Sequence, residues 1–80
     1  MLKTYKCAVA GINAGGESDL FFVAIKGTRE QYADGCIETK ASAIAQEEGF
    51  THCVVFTNKT SVGRLLTALN EWEHTKIYEA

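Results

Sequence analysis

The stretch from Thr51 to Trp72 constrains this chain more than any other. Cys53-Val54-Val55-Phe56 is a continuous apolar run of strand length, and the polar turn Thr57-Asn58-Lys59-Thr60 follows it. Beyond the turn the period changes: Val62, Leu65, Leu66, Leu69 and Trp72 recur at three- and four-residue intervals, the spacing of one stripe on a helix. A central strand feeding an amphipathic helix that covers it is the expected heart of the fold.

The chain upstream supplies strands for that core. From Leu2 to Asn13 the residues alternate, with Tyr5, Cys7 and Val9 on one side and Lys6, Ala8 and Ala10 on the other. Asn13-Ala14-Gly15-Gly16-Glu17-Ser18-Asp19 is a turn by composition, and Leu20 to Gly27 is the return strand of a hairpin. Pairing in register around that loop sets Val9 against Val23, Cys7 against Ile25, Gly11 against Phe21 and Tyr5 against Gly27. One face then gathers Tyr5, Cys7, Val9, Phe21, Val23 and Ile25 as the core side. On the reverse face the same register sets Lys6 against Lys26 and Ala10 against Phe22.

A helix is expected from Thr28, because Thr28-Arg29-Glu30-Gln31 fits a capping box. Its apolar stripe is Ala33, Ile37, Ala41, Ile44 and Ala45, Gly35 marks a break in its path, and Gly49 ends it. The tail from Lys76 to Ala80 offers a short fourth edge strand through Ile77 and Tyr78. The order is strand, strand, helix, strand, helix. A right-handed crossover sets strand three parallel to strand two and beside strand one. These readings predict a single domain over residues 1–80, an α+β two-layer sandwich with an open three-stranded sheet. Both helices are expected on the Tyr5, Val9 and Phe21 face, leaving the face of Lys6, Phe22 and Lys26 uncovered.

Composition narrows the function classes. A chain of 80 residues buries only about 60% of its unfolded surface, which leaves little room for a large enclosed active site. A net charge of −2 and a pI of about 5.6 lack the basic excess that phosphate-backbone binding leaves in a small domain. Cys7, Cys36 and Cys53 are odd in number with no paired spacing, the pattern of reduced, buried thiols in a cytoplasmic protein rather than of a disulfide framework. No signal pattern opens the chain, and no apolar run nears the roughly 18 residues that span a bilayer, so no membrane partner is expected.

Catalytic and metal chemistry find little support. Zinc ligands in so short a chain come in pairs two to four residues apart, and neighbours such as His52 and Cys53 point to opposite faces of a strand. Cys36 has Asp34 and Glu38 beside it, which disfavour a thiolate nucleophile. The glycines of Gly11-Ile12-Asn13-Ala14-Gly15-Gly16 lead into a strand, whereas a phosphate loop opens a helix. The carboxylate pairs Glu17/Asp19, Glu47/Glu48 and Glu71/Glu73 read as solvated charge. The expectation is a protein that is not an enzyme, with no cofactor and no metal site.

Two features point instead to binding. Lys6 opposite Lys26 is an unfavourable like-charge pair, and with Phe22 it makes a sheet surface suited to RNA bases or to a second copy. Glu47 and Glu48 end the first helix and Glu71 and Glu73 the second, against the negative end of each helix dipole. Contact with a basic partner would account for them. The candidate partner-binding residues are therefore Glu47, Glu48, Glu71, Glu73, Lys6, Phe22 and Lys26, in a monomer or a homodimer.

The order of a hairpin, an alanine-rich helix ending in Ala41-Ser42-Ala43-Ile44-Ala45-Gln46-Glu47-Glu48-Gly49 and a returning strand resembles several small phage-encoded proteins, among them inhibitors of the anti-CRISPR type. The likeness spans Leu2 to Phe56 and lies in size, element order and acidic surface. It implies a non-enzymatic inhibitor in the host-cell cytoplasm that occupies a basic nucleic-acid-binding surface of a larger complex such as a CRISPR effector. Carboxylates would stand where phosphates sit.

Overall fold

Alternation of apolar and polar residues yields two long strands, β1 (Lys3–Asn13) and β2 (Ser18–Gly27), in a computed structural model that describes residues 1–69 and 75–80. The turn between them is tighter than the composition of the loop suggests. Asn13 Oδ1 accepts from the N–H groups of Gly15 at 3.0 Å and Glu17 at 3.1 Å. Gly16 N–H donates to the Asn13 carbonyl, and Asn13 N–H to the Glu17 carbonyl. Gly16 takes φ 80, as the last residue of a three-residue hairpin loop does.

The tight turn resets the register by two residues. Val9 lies opposite Phe21, Cys7 opposite Val23, Tyr5 opposite Ile25 and Gly11 opposite Asp19. A slip of two keeps every side chain on its face, so the expected apolar face stands while the expected pairs do not. Lys6 faces Ala24 and Lys26 faces Thr4, so the Lys6–Lys26 pair is overturned.

The helical segment begins as its capping box dictates. Gln31 N–H donates to Thr28 Oγ1, and Thr28 N–H donates to Gln31 Oε1. Gly35, at φ 84, divides it into α1 (Arg29–Ala33) and α2 (Cys36–Glu47). Gly49, at φ 105, turns the chain from α2 into β3 (Phe50–Phe56). β3 pairs antiparallel with β1, Val9 opposite Val55, and so runs parallel to β2. After α3 (Ser61–Ala68), β4 (Ile77–Glu79) adds to β2 in parallel, with Ala24 opposite Ile77. The fold is α+β, with an open four-stranded sheet in the order β3-β1-β2-β4.

The core lies between the sheet and α2. Cys7, Val9, Val23 and Ile25 meet Ile37, Ala41, Ile44, Ala45 and Phe50, with Tyr5, Phe21, Tyr32, Cys53, Val55 and Tyr78 packed around them. The reverse face is not bare, contrary to expectation: Ala8 and Ala24 there are 0% exposed, and Lys6 and Phe22 are half-buried. The chain crosses from β2 to β3 in one direction and from β3 to β4 in the other. Right-handed crossovers in opposite directions use opposite faces, which puts α3 on the reverse face.

α3 does not bury the stripe its sequence advertises. Gly63 and Thr67 are its buried residues and Leu66 is half-buried, while Val62, Leu65 and Leu69 are 54%, 71% and 69% exposed. Close approach decides this: a methyl at Gly63 would run into the Thr57 carbonyl, so the helix seats its glycine against the turn. Trp72, the last residue of the expected stripe, lies outside the described residues.

Candidate functional site

The acidic end of α2 is built by local sequence. Glu47 is its last residue, Glu48 its C-cap, and the last turn holds no basic residue to offset them. Both side chains are exposed. The turn at Gly49 brings Glu48 to the flank of β2, where it borders a groove of about 240 Å³ with Phe21, Phe22, Val23, Lys76 and Tyr78. Two sequence-predicted residues from different surfaces, Glu48 and Phe22, thus meet at one site. Glu71 and Glu73 lie outside the described residues.

The lysines of the reverse face do not form the expected pair. Lys26 is exposed beside Thr4, and Lys6 is half-buried beside Ala24. The two lysines are diagonal neighbours rather than a directly opposed pair, which weakens the repulsion that called for an anionic ligand.

The thiols differ in their surroundings. Cys7 is buried in the core, and burial, helped by the Glu38 carboxylate, pushes its pKa up to about 12. That thiol stays protonated and inert in neutral solution. Cys36 is exposed, contrary to the expectation of three buried thiols, and Cys53 is half-buried with Sγ 3.3 Å from Ser42 Oγ. Cys36 opens α2, whereas His52 lies near the start of β3, where α2 ends, so the two sit at opposite ends of that helix. Among the described residues, no three His, Cys, Asp or Glu side chains gather to hold a metal ion. No helix among them is long and apolar enough to cross a membrane.

One cluster has no counterpart in the sequence reading. Tyr32 stacks on Tyr5 with ring centroids 4.3 Å apart and donates its hydroxyl to Asn58 Oδ1 at 2.6 Å. Lys59 Nζ donates to the Tyr32 carbonyl at 2.7 Å, pairs with Glu38 Oε2 at 3.4 Å and sits 4.5 Å from the Tyr32 ring centroid. The polar turn between β3 and α3 is thereby pinned to α1 and α2. The partners of Lys59 lie more than 20 residues away, so no local signal announces them.

No family model matches the chain, nor does any curated protein or solved structure.

Proposed function

We propose that this protein is a small non-enzymatic binding module that sets the acidic end of α2 against a basic surface of a larger partner. The reading rests on one observation above all: Glu47 and Glu48 stand exposed at a helix C-terminus that electrostatically disfavours them, and Glu48 borders a groove lined by aromatic rings. Charge of this kind steers association and fixes register. Aromatic side chains beside it supply contact area that is rigid and partly apolar. A nucleic-acid-handling complex offers the complementary basic surface, and an inhibitor of phage or mobile-element origin, of the anti-CRISPR type, is the class of protein that would use it.

The test is capture of partners from a host lysate treated with nuclease, using the wild type and the Glu47→Lys/Glu48→Lys variant. The expected result is a basic nucleic-acid-handling complex that survives nuclease and is lost with the variant. Affinity for the purified partner should fall roughly tenfold or more. Equal capture by both proteins would remove the acidic helix end from the mechanism.

A further inference from the structure

The outer edge of β3 is the most open part of the sheet. The ladder on the other side fixes which backbone groups point outward. Ala24 N–H donates to the Lys76 carbonyl and Ala80 N–H to the Lys26 carbonyl, so even-numbered residues of β2 face β4 and odd-numbered ones face β1. Following the pairs across β1, its even residues face β3, where Ala8, Ala10 and Ile12 meet Phe56, Val54 and His52. Cys53 and Val55 therefore turn their N–H and carbonyl groups away from the sheet, whereas Thr51 sits at a register shift where Ile12 and Asn13 meet His52 and Phe50. Among the described residues β3 ends the sheet, with β1 as its neighbour on the inner side.

Edge strands are ordinarily protected by charge, proline, a bulge, short length or a covering segment. β2 is protected in this way: β4 covers it from Ala24 to Lys26, and Asp19 Oδ1 accepts from the Leu20 N–H at 2.8 Å. β3 runs for seven residues with a register shift at Thr51, near its start, and the regular stretch His52-Cys53-Val54-Val55-Phe56 contains no Lys, Arg, Asp, Glu or Pro. Val54, at its middle, is 61% exposed. Beside the strand lies an open groove of about 560 Å³, where Thr39, Ser42, Ala43 and Gln46 of α2 face Val55. Among the described residues the one charged side chain on that groove is Glu38, whose Oε2 is held by Lys59.

We infer that this edge is a dimer interface between two copies of the chain, their β3 strands paired antiparallel about a two-fold axis beside Cys53. That axis passes through the middle residue of β3. It sets Cys53 against its own copy and His52 against Val54 of the other chain, so the exposed valine is covered. The two sheets become one, and the α2 helices lie side by side through Thr39, Ser42, Ala43 and Gln46. An interface that meets itself must not oppose like charges, and this surface has almost none to oppose. The same neutrality gives a strongly charged partner nothing to grip. A stable interface takes roughly 800 Å² per partner, more than a strand edge alone supplies, and α2 adds the further surface.

Sedimentation velocity over a concentration series tests this. The wild type should show a reversible monomer–dimer equilibrium. Val54→Lys, at an exposed position, should keep the monomer folded while weakening the dimer roughly tenfold or more, since it brings two uncompensated charges into the contact. In a Cys36→Ser background, a short bifunctional thiol reagent should join two chains through Cys53, as residues facing each other across a hydrogen-bonded antiparallel pair lie about 5.5 Å apart. A monomer at every concentration, a dimer indifferent to Val54→Lys, or a cross-link that avoids Cys53 would each overturn the proposal. So would a monomer that instead adds an extended peptide of another protein along the same edge.

Discussion

Cys7 illustrates how one buried group couples this small core to pH. Below the ordinary thiol pKa of 9.0 it is protonated whether the chain is folded or not. Above that value the unfolded chain ionises the thiol while the folded chain holds the proton until about 12, so stability falls as pH rises through this window. The slope is about 1.4 kcal/mol per pH unit. Urea unfolding at about pH 8 and about pH 10.5 should therefore cost the wild type roughly 2 kcal/mol more than Cys7→Ala across the same change. Equal losses would show that the thiol ionises as readily in the fold as out of it. Gly63 sets a limit of another kind. Alanine there should gain about 1 kcal/mol of helix propensity, yet its methyl meets the Thr57 carbonyl and α3 must lift away. A net loss of roughly 1–3 kcal/mol in chemical denaturation is expected.

Elements followed the sequence wherever their signals were local. The capping box at Thr28 and Gln31, the break at Gly35, the stop at Gly49 and the short strand through Ile77 and Tyr78 stand where the residues put them. What escaped was decided at a distance or by a single side chain. Asn13 tightens the hairpin through its own amide oxygen, and two residues of register follow. The outward turn of Val62, Leu65 and Leu69 comes from the fit of Gly63 against a turn, which no periodicity contains. The acidic end of α2 was legible as an electrostatic oddity, but its meeting with Phe22 required the fold. At this scale the charge-reversal variant has a second readout. Lysines at 47 and 48 complement the helix dipole and should stabilise the protein by about 0.3–1 kcal/mol each. Calorimetry should thus find Glu47→Lys/Glu48→Lys at least as heat-resistant as the wild type, which separates lost binding from lost folding.

For the whole molecule, what matters is that the two margins of the sheet are treated differently. A short parallel strand, tied by the Ala80 N–H to the Lys26 carbonyl, covers one margin from Ala24 to Lys26, and among the described residues no strand covers the other. A building block with two sticky sides adds copies without end, whereas one with a single sticky side stops at a pair. In the dimer proposed above, β4 would act as the chain terminator of the assembly. Deleting residues 76–80 should convert a two-membered species into ribbons that scatter light and grow with concentration, and restoring the five residues should abolish them. On this view three residues at the far end of the chain set how many copies β3 can gather.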